Sequence, residues 1–125
     1  MRYLLDTNVA IWLIAKPERL SGLTLERLGD TSNEIVVSAV SVVEVAIKRS
    51  LGKLDINERF IEELQAQDCR FLSVNVRHAW QVSSLPWIHR DPFDRLIVAQ
   101  AQIEGATLVT SDRTLIDYDV QVLLV

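Results

Sequence analysis

The chain has a single cysteine, Cys69, in 125 residues. One cysteine cannot close an internal disulfide, which fits a reducing compartment. Its neighbours Phe71 and Leu72 mark Cys69 as a small buried hydrophobe. There are only four glycines and three prolines and no low-complexity tract or internal repeat, so neither disorder nor a linker is expected. Long apolar runs are also lacking. The longest, "IVVSAVSVVEVAI" (35–47), carries two serines and a glutamate and falls short of the roughly 20 residues that cross a bilayer. "MRYLLDTNVAIWLIA" has an aspartate in its apolar run and no small-residue cleavage site after it, so a cytoplasmic protein with no membrane association is expected. Net charge is −4 and no basic footprint of a general nucleic-acid binder is evident. Contact with RNA then requires divalent cations between carboxylate and phosphate, helped by local basic residues.

What is present is the composition of one ordinary globular domain spanning 1–125, 49% hydrophobic and 24% charged. Strands are expected at 2–7, 34–39, 69–74, 107–112 and 120–125, where short apolar or β-branched runs end at turn residues. Helices are expected at 8–15, 23–30, 41–53 with Gly52 as the stop, 57–67, 76–85 and 94–105 with Gly105 as the stop. Strands alternate with helices throughout. That order predicts an α/β domain of three layers, with a mainly parallel central sheet flanked by helices, which binds ligands beyond the carboxyl ends of its strands.

Four acids fall at that edge. Asp6 ends the first strand and Asp112 ends "TLVTSD". Glu44 is expected in the first turn after "EIVVSA", and Asp94 in the first turn of the helix leading to "TLVTSD". Each alone has a structural explanation. Ser41 and Glu44 match a capping box, and Lys48 pairs with Glu44 four residues on. Asp91 is an N-cap followed by Pro92 and Asp94. Asp112 can cap a turn through "RTLI", and Asp6 can form an Asx-turn with Thr7 and Asn8. Together the acids repel one another and face desolvation, and a hard divalent cation such as Mg²⁺ or Mn²⁺ removes both costs. No histidine–cysteine set suits zinc, and His78 and His89 are assigned to surface and loop, with His89 adjoining the site. No Gly-x-Ser-x-Gly elbow, Walker loop or Gly-x-Gly-x-x-Gly competes. The chemistry expected is metal-assisted phosphodiester hydrolysis.

Four blocks carry a resemblance: "LLDTNVAIW", "SAVSVVEVAIKRSLGKL", "HRDPFDRLIVAQA" and "LVTSD". In this order, over nearly the whole chain, they resemble the PIN-domain ribonucleases, in particular the VapC-type toxins of toxin–antitoxin pairs. The resemblance implies a Rossmann-like fold and an Mg²⁺- or Mn²⁺-dependent endoribonuclease. It places the catalytic, metal-holding acids at Asp6, Glu44, Asp94 and Asp112, the same four. It also implies an RNA substrate, a cognate antitoxin and a homodimer. Thr7, Asn8, Asp91, Thr110 and Ser111 are candidates to orient a carboxylate or bound water. Arg90, Arg95 and Arg113 flank the acids and are candidates for RNA phosphates, with Lys48, Arg49 and Lys53 along the Glu44 helix. Trp87 suits a stacked base or packing, and Trp12 and Leu13 suit the core or a dimer interface.

Other functions remain open from sequence: an RNA-maturation nuclease of the same fold without an antitoxin, and a non-catalytic module whose acids only cap helices. A haloacid dehalogenase-like phosphatase needs an aspartate where Asn8 stands.

Overall fold

The computed structural model describes residues 1–125. Five strands, β1 (Arg2–Leu5), β2 (Glu34–Ser38), β3 (Cys69–Leu72), β4 (Thr107–Thr110) and β5 (Val122–Leu124), form one sheet in the order β3-β2-β1-β4-β5. Every pairing is parallel, with Tyr3 opposite both Ile35 and Thr107. Six helices accompany it: α1 (Thr7–Ala15), α2 (Gly22–Gly29), α3 (Ala39–Ser50), α4 (Phe60–Ala66), α5 (Val76–Gln81) and α6 (Pro92–Glu104). None is long and apolar enough to cross a membrane.

The continuous apolar runs of the central strands are explained by burial on both faces. Tyr3, Leu5, Ile35, Val37 and Val109 face one core with Val9 and Ala10 of α1, Leu28 of α2, Val45 of α3, and Phe60 and Leu64 of α4. The alternate residues Leu4, Val36 and Leu108 face the other core, with Ile97, Val98 and Ala101 of α6, and Leu115 and Tyr118. The side-chain period of two thus builds three layers from one sheet. Cys69 belongs to the first core, and burial pushes its thiol up to about 11, so it serves as a hydrophobe. Trp12 and Leu13 pack partly buried against the same core.

Several boundaries differ from expectation. α1 begins at Thr7 because Asp6 is its N-cap, with Thr7 N–H donating to Oδ1 at 2.6 Å. α3 begins at Ala39, capped by Ser38 rather than Ser41, and Glu44 therefore lies in the second turn. α4 starts only at Phe60. The 76–85 segment divides into α5 and a 3₁₀ turn at Val82–Ser84. α6 opens as predicted, with Asp91 accepting from Phe93 N–H, and closes at Gly105 in the left-handed region (φ 63°), where a residue without Cβ fits. His78 is not a surface residue: it is fully buried at α5, its Nε2 3.0 Å from Glu104 and its Nδ1 accepting from Asn75 N–H.

The chain runs outward from β1 to β2 and β3, then crosses to the other side of β1 for β4 and β5. The strand order therefore reverses between β1 and β4, where a crevice forms outside the carboxyl ends. Asp6 follows β1 directly, its N–H extending the ladder to Val109 carbonyl at 2.8 Å.

Candidate active site

Asp6 is 7% exposed, an unusual position for a carboxylate. Its two oxygens are both held: Oδ1 by Thr7 N–H and Oδ2 by the Thr110 hydroxyl at 2.7 Å. Thr110, the last residue of β4, also accepts from Asp112 N–H at 3.0 Å. One hydroxyl thus ties the end of β4 to the acid after β1. Burial raises the Asp6 carboxyl above its ordinary range, and the charges of Glu44 and Asp112 add to this against the pull of the Thr110 and Thr7 bonds.

Glu44 does not reach back into a capping box. Its Oε1 accepts from the Thr7 hydroxyl at 2.8 Å and its Oε2 pairs with Lys48 at 2.9 Å. The Thr7 hydroxyl also lies 2.9 Å from the buried Ser41 hydroxyl. Starting the helix at Ala39 is what turns Glu44 toward α1 instead of its own N-terminus.

Asp94 sits in the first turn of α6. Its carboxyl is pushed up to about 7, first by burial and then by the charges of Asp6, Asp91 and Glu44. A helix N-terminus favours the ionised form. The shift is upward despite that position, so burial and like charge outweigh it.

Asp112 lies two residues beyond β4 and caps the 3₁₀ turn Arg113–Asp117, so the strand is shorter than expected and the acid belongs to a turn. Its Oδ1 accepts from Thr114 N–H at 3.0 Å and from the Thr114 hydroxyl at 2.7 Å. Burial pulls its carboxyl upward, but these bonds and His89 outweigh it and the net shift is downward.

His89 was expected only to adjoin the site. Its Nε2 is 3.3 Å from Asp94 Oδ2 and 3.2 Å from Asp112 Oδ2, and the three side chains form one compact cluster. The acids at the ends of β1 and β4 and at the start of α6 thus act on one another electrostatically, with Glu44 joined through Thr7.

Among the orienting candidates, Thr7 and Thr110 make the carboxylate bonds just given, and Asp91 keeps the cap. Asn8 is exposed and Ser111 half-buried, and neither takes part in these bonds. Arg90 and Arg113 are exposed beside the cluster. Arg95 is the correction. It is 3% exposed, and its guanidinium donates to the carbonyls of Pro86, His89, Val82 and Leu85 at 2.9–3.3 Å. It also lies 3.9 Å from the ring centroid of Trp87. A buried guanidinium with both terminal nitrogens committed to loop carbonyls is poorly placed to meet a phosphate. Trp87 remains 78% exposed, with this cation against its ring.

The sequence did not signal Ser41 as a partner of Thr7, nor Arg95 and Tyr118 as the anchors of the loop before α6. The cue for His89 was its place two residues ahead of Asp91, the span at which a side chain can accept from the backbone N–H ahead of it.

The donor set in the crevice is oxygen-rich: four carboxylates, three of them braced by threonine hydroxyls. Such a set fits a hard divalent cation.

Comparison with known proteins agrees with this architecture. The PIN domain profile matches residues 3–121. The chain is 34% identical to "Ribonuclease VapC22" of Mycobacterium tuberculosis over 115 residues, 90% of this chain and 88% of that one. Among solved structures, VapBC2 from Rickettsia felis, bound to a DNA fragment from their promoter, superposes with a TM-score of 0.76 at 21% identity, covering 99% of this chain and 98% of that one. DNA-bound VapBC from Salmonella typhimurium gives 0.70 at 18% identity, covering 98% and 97%.

Proposed function

Because this chain belongs to the PIN-domain family, we propose that it is a metal-dependent endoribonuclease that hydrolyses RNA phosphodiester bonds, acting as the toxin of a toxin–antitoxin pair. The observation that carries this is the convergence of acids at the β1–β4 crevice, each rooted in a different element. Capping accounts for Asp6, Asp91 and Asp112 one at a time. It does not account for Glu44, which caps nothing, or for two carboxyls raised by burial and then by the charges of neighbouring acids.

In this function Asp6, Glu44, Asp94 and Asp112 hold Mg²⁺ or Mn²⁺. When bound, the cation supplies Lewis acidity toward phosphate and water. The chain's own part is to orient and to exclude. Thr7 fixes Glu44, Thr110 fixes Asp6, and Thr114 fixes Asp112, so the carboxylates need little reorganisation. Arg90 and Arg113 take the flanking phosphates, which a net charge of −4 leaves to local residues. The exposed Trp87 ring offers a base-sized face at the same loop.

The relatives support the remaining parts. A named ribonuclease at 34% identity favours RNA as substrate. Structural neighbours solved as DNA-bound VapBC assemblies favour an antitoxin partner, and membership of the family adds a homodimeric toxin and a cytoplasmic setting to the proposal. The test is growth. Induced expression in a bacterial host should arrest growth, Asp94→Asn should not, and co-expression of the cognate antitoxin should relieve the arrest. Continued growth while soluble wild-type protein accumulates would contradict the toxin role.

A further inference from the structure

The loop before α6 is fastened with more bonds than its length requires. His89 N–H donates to the buried Tyr118 hydroxyl at 2.9 Å, and His89 carbonyl accepts from Arg95 at 3.3 Å. The His89 ring is fastened as well. Its Nδ1 accepts from Asp91 N–H at 3.1 Å. A nitrogen that accepts a hydrogen bond carries no proton, so the ring's proton sits on Nε2. Nε2 is the atom that faces Asp94 Oδ2 at 3.3 Å and Asp112 Oδ2 at 3.2 Å.

By proximity alone, His89, Asp94 and Asp112 form a set able to grip a cation. The proton assignment reverses this. With Nδ1 used by the backbone and Nε2 protonated, neither nitrogen has a lone pair for a metal. The near-equal distances place Nε2 between the two carboxylates, in contact with both. They exceed the roughly 2.7–2.9 Å of an undivided charge-assisted bond.

Resting on the metal-nuclease function above, we propose that His89 is a positioning residue of the site: its Nε2–H bridges Asp94 and Asp112 and sets their spacing, and it does not ligate the metal with them. Asp94 belongs to α6 and Asp112 to the turn after β4. These elements meet at the crevice, and the His89 ring is the side chain that lies within 3.3 Å of both carboxylates. Arg95 and Tyr118, which hold the His89 backbone, belong to the same device. The metal environment is then made of oxygen alone.

Three measurements decide this. Two-dimensional ¹H–¹⁵N spectra of the metal-free wild type should show the His89 proton on Nε2. Electron spin-echo spectra of the Mn²⁺-loaded wild type should show no directly coordinated nitrogen. His89→Ala should bind Mn²⁺ about 10–100-fold more weakly, the range for loss of a residue that supports metal ligands. His89→Gln, whose amide N–H can reach near the Nε2 position, should recover most of that affinity. A proton on Nδ1 overturns the inference, and so does a nitrogen coupling that disappears in His89→Ala. The spectra of the wild type decide the matter even if His89→Ala fails to fold. Failure of the wild type to bind Mn²⁺ at all is a separate result, which overturns the nuclease function and the role of His89 with it.

Discussion

The Thr7 hydroxyl donates to Glu44 at 2.8 Å, joining the first residue of α1 to the second turn of α3 across 37 positions of sequence. Thr110 does the same for Asp6, from the end of β4. Two threonines therefore brace two acids that belong to other elements. Thr7→Val and Thr110→Val keep the shape of the side chain and remove the donor. Each should weaken Mn²⁺ binding about 10–100-fold in a calorimetric titration. Thr110→Val should also cost about 1–3 kcal/mol of stability, since a buried carboxylate oxygen loses its partner. Unchanged affinity in both would detach the threonines from the site.

Asp94→Asn should abolish RNA cleavage and raise the melting temperature of the metal-free protein. Removing one of several repelling, partly buried charges is worth about 0.5–2 kcal/mol. Asp91→Asn should leave both nearly unchanged, because asparagine caps a helix about as well as aspartate. Loss of activity in Asp91→Asn, with Asp94→Asn active, would exchange their roles.

The stability of the metal-free protein should fall as pH rises from about 4 to about 7. The folded carboxyl of Asp94 sits at about 7 against an ordinary value of 3.8, and burial is the main cause. Between those values the folded state holds a proton that the unfolded state has released. The raised group therefore favours the folded state least above about pH 7, where both states are ionised and the repulsion is complete. Asp6, also raised, acts in the same sense. Thermal melts at intervals of pH, with and without Mg²⁺, check this. The fall should shrink when Mg²⁺ is present, and an equal fall in both would argue against metal held by these acids.

Arg95→Ala should lower stability by about 3 kcal/mol or more, since several loop carbonyls lose a charged donor together. Arg95→Lys should not restore it, because an ammonium cannot serve the same fork of acceptors. A stable Arg95→Ala that binds RNA more weakly with a reduced salt slope would return Arg95 to phosphate binding. Arg90→Ala and Arg113→Ala are the variants expected to show that behaviour, with each slope reduced by about one.

The strand and helix order, the cap at Asp91 and the four acids were legible because each depends on local pattern: apolar runs, turn residues and helix starts. The start of α3 was not. "SAVSVVE" offers two serines, and the capping-box spacing selects Ser41. The chain uses Ser38, whose hydroxyl caps Val40 and also meets buried Gln100, 62 residues away. Arg95 misled for a similar reason. Beside an acid it reads as a phosphate ligand, and only the closed loop supplies the carbonyls that take its donors. His78 was placed outside because its partner Glu104 lies on α6. In each case a partner brought in by the folded chain overrode a sound local cue.

The measurement that bears most directly on the function is cleavage of a cellular RNA pool by purified protein free of antitoxin. It should be run with Mg²⁺, with Mn²⁺ and with EDTA, beside Asp94→Asn. The predicted result is discrete fragments in either metal, none in EDTA and none from the variant. Fragments that persist in EDTA, or that Asp94→Asn produces at the wild-type rate, would contradict a metal nuclease built on these acids.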